Sequence, residues 1–272
     1  MRCDATGYRA DTPIDALYSL LPVFAIYNRH GAMQKSAFTL TRYAGGLFNR
    51  GSDGRRARLA VLLTLSALLA APAPTAAQDL GPSARLLVSA RNADAAGVER
   101  ALKDGAAVNS RNRLGESALI VALKRNQPAI ARTLIDAGAD VNQPAIDGVT
   151  PLMAAAYGGH AAIVIILLDK GARVDPVDRL KKNAMTYAAG EGHTEIVRTL
   201  LQRGVDPNAV YNNDLTALMW AAGFGRTATA KALLDAGARA DLKDNRGQSA
   251  LDIAREQKHD ETVKLLETAG AR

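Results

Sequence analysis

Histidine residues are the first candidates for chemistry in this sequence, because imidazoles at a regular spacing can bind a metal ion. His160 and His193 each follow a glycine and are 33 residues apart, and the next two positions of the same series hold Arg226 and His259. Equivalent positions in stacked helical units are roughly 8–10 Å apart, whereas a zinc–nitrogen bond is about 2 Å long. The spacing therefore predicts turn residues that recur with a structural repeat, and it predicts no metal site.

Carboxylates and thiols are the next candidates, since they serve as acids, bases and nucleophiles. Asp136, Asp169 and Asp235 share one position of a 33-residue series, which is typical of a solvated helix face and not of a catalytic carboxylate pair. Cys3 is the only cysteine, so a disulfide framework and a cysteine-based zinc site are excluded. The sequence also lacks a glycine-rich phosphate loop and a nucleophile elbow. We therefore predict a protein that is not an enzyme and needs no cofactor.

Three series of residues explain these regularities, because each keeps a period of 33 residues without an insertion. The series consist of glycines (Gly105, Gly138, Gly171, Gly204, Gly237, Gly270), large apolar residues (Leu86, Leu119, Leu152, Met185, Leu218, Leu251) and alanines (Ala122, Ala155, Ala188, Ala221, Ala254). Such a period indicates a repeat architecture in which every unit buries its apolar face against its neighbours.

The same period predicts where helices begin and end. A residue that accepts hydrogen bonds from the free amides of a helix start recurs in five periods, as Ser117, Thr150, Asn183, Thr216 and Ser249. Pro151 takes the first helical position, where a missing N–H has no cost. The segment Ala161–Lys170 has apolar residues at helical spacing and stops before Gly171, which favours a helix C-terminus. Each period therefore predicts two short helices followed by a hairpin.

This pattern resembles the ankyrin repeat. The segment Thr150–Ala155, the pair Gly159-His160 and the segment Leu167–Ala172 are very close to the family motif. The resemblance implies an all-α repeat solenoid over residues 83–272, with about six units of which the first and last are caps: 83–112, 113–145, 146–178, 179–211, 212–244 and 245–272. The first unit is atypical, because Ala84 stands at its cap position. The family's usual histidine in the first helix is replaced by Met153, Thr186, Met219 and Asp252, which leaves open what supplies its hydrogen bonds.

Residues 55–77 have the pattern of a secretory signal peptide. Arginines precede the apolar run Leu59–Ala71, and small residues end at Ala77. The run is shorter than the roughly 20 residues that span a bilayer, so we predict cleavage after Ala77 and a periplasmic or secreted bacterial protein. Residues 1–54 are predicted to be a poorly ordered leader or a misassigned start, with translation beginning further in, for example at Met33. Residues 78–82 are predicted to be a short linker.

The distribution of charge argues against a nucleic-acid partner. The chain has a net charge of +7, but residues 1–77 hold 9 Lys and Arg against 4 Asp and Glu, which leaves 25 basic and 23 acidic residues in 78–272. A nearly balanced surface gains little from releasing the counterions of a phosphate backbone. We expect a monomer that binds another protein, with membrane contact only if the signal segment is retained.

The family resemblance implies that a partner is read by hairpin tips and first-helix faces, which line a concave surface. The five aromatic residues of 78–272 all fall in three consecutive units, and Tyr187 and Trp220 are 33 residues apart, so their rings are expected to form a continuous strip. Tyrosine and tryptophan are common anchors of interfaces. The predicted partner-binding residues are Tyr187, Trp220, Tyr157, Phe224, Tyr211, Leu180, Lys182, Asn213 and Arg125.

Three alternatives remain open at this stage. Trp220 and Tyr187 are equally compatible with filling the space between repeats, and Phe224 and Tyr157 fit such packing better than an interface. The chain is also compatible with a membrane-tethered scaffold that keeps Leu59–Ala71, or with a small-molecule-binding or enzymatic role in the concave groove. The fold alone does not decide among them.

Overall fold

A computed structural model describes residues 80–270 of the chain. The predicted leader, the signal peptide and linker residues 78–79 lie outside this range. Within it the chain forms twelve α-helices in six pairs. The first helices of the pairs are α1 (Pro82–Arg91), α3 (Ala118–Lys124), α5 (Pro151–Tyr157), α7 (Ala184–Glu191), α9 (Ala217–Gly223) and α11 (Ala250–Glu256). The second helices are α2 (Ala95–Lys103), α4 (Pro128–Asp136), α6 (Ala161–Asp169), α8 (Thr194–Gln202), α10 (Thr227–Asp235) and α12 (Asp260–Thr268). The predicted all-α repeat solenoid is confirmed.

The helix starts follow from the predicted cap residues. Each of them accepts the N–H of the residue three positions later, at 3.0 Å for Asn183 and Thr186 and at 3.2 Å for Ser249 and Asp252. In units three to six the bond is returned, because the side chains of Met153, Thr186, Met219 and Asp252 accept the N–H of the cap residue. These four side chains, two of which are thioethers, occupy the position of the family's histidine. Each of them therefore supplies a hydrogen bond to the backbone at the helix start, which the replacement of the histidine had left unexplained.

The first unit departs from the predicted start. Helix α1 begins at Pro82, which was assigned to the linker, and Ala84 lies inside the helix and not at its cap. Its N-cap is Gly81, whose bare backbone offers no side-chain bond. Proline fits the first helical position because that position needs no amide donor. Helix α1 has ten residues, which is longer than the seven or eight of the later first helices.

The two helical rows pack with different spacing. The periodic large apolar residues and the periodic alanines of the first helices are all buried, and the small alanines let neighbouring first helices approach closely. From α3 onward the first helices have seven or eight residues and the second helices nine. Short, closely packed first helices favour curvature of such an array toward them, so we expect the surface of first helices and hairpins to be the concave one.

Five hairpins connect consecutive units, here numbered hairpin 1 to hairpin 5: residues 111–117, 144–150, 177–183, 210–216 and 243–249. Isolated antiparallel bridges close hairpins 1, 4 and 5, between Arg111 and Ser117, Val210 and Thr216, and Lys243 and Ser249. No longer strand forms between residues 80 and 270. Over the same residues, no helix combines the length and the apolar character needed to cross a membrane.

Candidate partner-binding site

Asp178 organises hairpin 3 and ties it to the following helix. The carboxylate is buried, and its Oδ1 accepts the N–H of Leu180 at 2.8 Å and of Lys182 at 2.9 Å. Its Oδ2 accepts the phenol O–H of Tyr187 on α7 at 2.5 Å. The hairpin and α7 are thus held together by one side chain, which fixes where Lys182 and Tyr187 lie.

Tyr187 and Tyr157 form the first of two aromatic pairs. Their rings meet edge to face, with centroids 5.7 Å apart and planes at 87°, an arrangement that the ring quadrupoles favour. Tyr187 is half-buried, whereas 46% of Tyr157 is exposed. Burial and the hydrogen bond to Asp178 raise the pKa of Tyr187 above its ordinary value, so the phenol stays a donor at physiological pH.

Trp220 and Phe224 form the second pair. Their rings are stacked, with centroids 6.0 Å apart and planes at 8°. Trp220 is only 9% exposed, so packing accounts for most of its surface. Both rings face Gly190 of α7, where a Cβ atom would lie 3.7 Å from each of them. The missing side chain at Gly190 makes room for the pair.

Lys182 connects the two pairs. Its ammonium nitrogen lies 4.4 Å from the ring centroid of Trp220 and 5.6 Å from that of Tyr187, which places both rings within cation–π distance. Burial lowers the pKa of Lys182, while the negative charges of Asp178 and Glu191 act against that shift. The expected continuous strip of Tyr187 and Trp220 is therefore two separate aromatic pairs joined by a cation. We call Tyr157, Tyr187, Trp220, Phe224 and Lys182 the aromatic–lysine cluster.

The position of Lys182 could have been inferred from one signal in the sequence. In two other units, the residue equivalent to Lys182 makes a hydrogen bond with the side chain eight positions later. Glu116 accepts a hydrogen bond from Lys124 at 2.8 Å, and Gln248 donates one to Glu256 at 2.9 Å. Eight residues after Lys182 the chain has Gly190, which offers no side chain. The ammonium therefore turns to the aromatic rings.

The remaining predicted residues have different surroundings. Tyr211 is half-buried, and its phenol oxygen accepts the Nδ2–H of Asn183 at 3.0 Å, which braces hairpin 4 against the start of α7. Asn213 accepts the N–H of Asn245 from hairpin 5 at 3.0 Å. Leu180 is 43% exposed at the tip of hairpin 3. Arg125 is exposed at the C-cap of α3. Of these four, Leu180 is the residue that adjoins Lys182 on the same hairpin.

The periodic histidines lie between repeats. His193 Nε2 lies 3.0 Å from the carbonyl oxygen of Tyr157, and His259 Nε2 lies 3.1 Å from that of Gly223. Arg226 makes the equivalent bond to Gly190 at 2.9 Å. Each side chain thus binds a free carbonyl near the C-terminus of the preceding first helix. These contacts agree with the interpretation as structural turn residues. In the part of the chain that the structure describes, no three His, Cys, Asp or Glu side chains are grouped to hold a metal ion.

Comparison with protein families identifies the repeats. A family model described as ankyrin repeats (3 copies) matches residues 143–211 and 203–272, and a model described as ankyrin repeat matches residues 114–145. Together the matches span 114–272, which is more than half of the 272 residues. A search of proteins with curated functions gave no significant match.

Proposed function

Because the chain belongs to the ankyrin repeat family, whose members are generally non-catalytic modules that bind other proteins, we propose that a partner protein docks on its concave face at the aromatic–lysine cluster. The choice of this site rests on the exposure of two of its side chains. Tyr157 and Leu180 expose 46% and 43% of their surface beside a half-buried cation. Tyrosine is a frequent hot-spot residue of interfaces, and the exposed leucine on the neighbouring hairpin adds apolar surface that a partner can cover.

The exposed apolar residues of the hairpins support the same face. Leu114, Ile146 and Leu180 lie at the tips of hairpins 1, 2 and 3, and all three are exposed. A soluble surface tolerates single apolar residues, but a row of them on one face marks a contact surface. We therefore place the edge of the partner along these tips and its centre at the cluster.

Protein, and not nucleic acid or a small molecule, is the proposed ligand class. Residues 78–272 are nearly neutral in net charge, which gives a phosphate backbone little to bind. A groove of about 230 Å³ runs between the second helices α8 and α10, on the side away from the cluster, where it is lined by Arg198, Leu201, Ala232 and Asp235. It is smaller than a typical ligand pocket of roughly 300–1,000 Å³. These features favour a broad docking surface without catalysis.

Export is a second part of the proposal. The basic flank, the apolar run Leu59–Ala71 and the small residues before Gln78 support removal of residues 1–77 and release to the periplasm or the medium. Intact mass of the protein recovered from its host tests this point. A species that starts at Gln78 is the expected result. A membrane-bound species that retains Leu59–Ala71 would instead establish a tethered ankyrin scaffold.

Site-specific photocrosslinking in the host tests the docking face. A photoreactive phenylalanine derivative at Tyr157 is expected to capture one discrete partner, because this side chain lies at the edge of the cluster. The matched control places the same group at Ile165, which lies in the same unit on α6 and is 39% exposed. Equal capture of the same protein from both positions, or capture from Ile165 alone, would contradict the proposed face.

A further inference from the structure

Lys182 lacks the carboxylate partner that a half-buried ammonium normally has. No acidic side chain of the described residues lies within salt-bridge distance of its nitrogen, although Lys124 in the second unit contacts both Glu116, at 2.8 Å, and Asp147, at 3.3 Å. Asp178 is the nearest acid in sequence, but its oxygens are occupied by two backbone amides and the phenol of Tyr187. Asp178 and Glu191 act on Lys182 only through space and do not contact it, and a half-buried cation without a contacting carboxylate gains from an added anion.

The whole of hairpin 3 has an excess of positive charge. Arg179 and Lys181 are exposed on either side of Leu180, and within residues 80–270 neither of them forms a salt bridge. Hairpin 5 and the turn before it differ in this respect, because Arg246 pairs with Asp244 at 3.1 Å and Arg239 pairs with Asp241 at 2.7 Å. Hairpin 3 therefore presents three cations whose complement is not supplied by the repeats that the structure describes.

A break in the ladder of hairpin tips lies beside these cations. Neighbouring tips are joined by a backbone hydrogen bond. Between hairpins 1 and 2, the N–H of Ile146 donates to the carbonyl oxygen of Leu114 at 3.0 Å. The equivalent bonds join hairpins 2 and 3 (Arg179 to Asp147, 2.9 Å) and hairpins 4 and 5 (Asn245 to Asn213, 3.0 Å). No such bond joins Asn212 of hairpin 4 to the carbonyl of Leu180 in the described chain. Within residues 80–270, neither of these two groups takes part in another backbone hydrogen bond outside the helices.

The break has a local cause. The tip of hairpin 4 is a short 3-10 turn, Asn212–Asp214, in which Asn213 and Asp214 both have a φ of 59°. In hairpins 2 and 5 a single glycine has positive φ. The extra left-handed residue accounts for the different path of hairpin 4 and leaves one backbone donor and one backbone acceptor open beside Lys182.

We propose that hairpin 3 and the aromatic–lysine cluster bind an extended acidic segment of the partner protein. A carboxylate of that segment pairs with the ammonium of Lys182 above Trp220, and its backbone bonds the open groups of Leu180 and Asn212. A flanking apolar side chain rests on Tyr157 and Leu180. The proposal rests on the proposed function, because it assigns the chemistry of the partner to the same face.

The surroundings of Lys182 favour a peptide over a phosphate-bearing surface. The cation lies between aromatic rings and next to open backbone groups, which an extended chain satisfies by adding main-chain hydrogen bonds. A membrane or a nucleic acid needs a broad field of cations, whereas the three cations of hairpin 3 belong to an array whose net charge is close to neutral. A slender carboxylate-bearing segment fits both features.

Selection of peptides tests the proposal without knowledge of the partner. A displayed library of random peptides is selected on the full chain and, in parallel, on the Lys182→Glu variant. Peptides from the unaltered chain are expected to be enriched in Asp and Glu, and their affinity should fall by roughly tenfold or more with Lys182→Glu. Lys231→Glu is the matched control, because Lys231 is a cation of a second helix that pairs with Asp235 at 2.8 Å. This control should leave peptide affinity unchanged.

The other outcomes separate the two proposals. Peptides that lose affinity with Tyr157→Ala but are not enriched in acids would overturn the acidic-segment proposal and leave the docking face intact. Peptides that are insensitive to both Tyr157→Ala and Lys182→Glu would overturn the proposed face as well. Binding of phosphatidylserine vesicles that depends on Lys182, without selection of acidic peptides, would replace the peptide by an anionic lipid surface. Equal melting temperatures of the variants guard against loss of fold.

Discussion

At the scale of single residues, the proposed site depends on side-chain contacts that the sequence predicts only in part. Tyr157, Tyr187, Trp220 and Phe224 were predictable as a group, because they fall at related positions of consecutive units. The pairing of their rings was not, since it follows from rotamers and from the space beside Gly190. Lys182 is among the predicted partner-binding residues, but its contacts with two rings require the three-dimensional path of hairpin 3.

Gly190, near the end of α7, and Gly192, its C-cap, should have opposite effects on stability when they are replaced by alanine. At Gly190 an added Cβ atom would lie at an ordinary 3.7 Å from the rings of Trp220 and Phe224. Gly190→Ala should therefore raise the free energy of unfolding by about 0.5–1 kcal/mol, through helix propensity. At Gly192 the φ is +83° and an added Cβ atom would lie 2.8 Å from Cδ of Arg226, so Gly192→Ala should destabilise. Urea unfolding of both variants measures the two effects, and a shared sign would contradict the local geometry.

Trp220 and Tyr157 should differ in their contribution to stability. Trp220→Ala removes a buried ring and should lower the free energy of unfolding by about 3–5 kcal/mol. Tyr157→Ala removes an exposed ring and should cost less than about 1 kcal/mol. Thermal and urea melts of the two variants check this difference. Similar losses for both would mean that Tyr157 is a packing residue, which would remove it from the proposed interface.

At the scale of elements, the helix starts were predictable and the hairpin tips were not. Ser117, Thr150 and their equivalents were expected at helix N-caps, and the structure has them there. The start of α1 differs because it has Gly81 and Pro82 in place of a side chain that caps the helix. The turn at Asn212–Asp214 depends on two left-handed residues that are not glycine, a conformation that composition alone does not predict. The break beside Lys182 therefore came only from the structure.

The last first helix offers a pH-dependent test of its cap. Asp252 accepts the backbone N–H of Ser249 at 3.0 Å and its hydroxyl at 2.7 Å, and these bonds lower the pKa of Asp252 below its ordinary value. A depressed carboxyl pKa stabilises the fold above the unfolded value of about 3.9 and loses that contribution as pH falls through the folded pKa. Asp252→Ala should thus cost roughly 0.5–1 kcal/mol at pH 7.

The same variant should lose this difference in acid. Denaturant melts of Asp252→Ala and of the unaltered chain should converge as pH falls from about 3.9 through the lower folded pKa of Asp252, below which the carboxyl group is protonated in both the folded and the unfolded chain. Asp235→Ala is the control, because Asp235 is an exposed residue of α10 paired with Lys231 and such pairs contribute little. A difference for Asp252→Ala that is independent of pH would contradict the cap.

At the scale of the whole molecule, the 33-residue period was sufficient for the architecture. An array of stacked units has a core made only of neighbour contacts, so periodic glycines, leucines and alanines specify both the helices and their packing. The family matches over residues 114–272 and the twelve helices within 80–270 confirm that inference. Export, cleavage after Ala77 and the identity of the partner stay proposals, because they depend on residues and molecules outside the repeat contacts.

The stacking itself can be tested at one alanine between repeats. Ala188 is fully buried in α7, at a position where first helices meet. Ala188→Leu should overpack this interface and cost about 1–3 kcal/mol. Calorimetry of the variant measures the loss. An unchanged melting temperature would contradict the close approach of neighbouring first helices on which the concave face depends.

If a partner protein binds at the aromatic–lysine cluster, its affinity should depend on Lys182. The partner captured at Tyr157 is therefore the ligand with which to measure this affinity. Titration of that partner compares the unaltered chain with Lys182→Glu and with Arg198→Glu, which reverses a charge on the second helix α8. We expect the affinity for the partner to fall by roughly tenfold or more with Lys182→Glu and to stay unchanged with Arg198→Glu. Full affinity of the Lys182→Glu variant, or an equal loss in both variants, would contradict it.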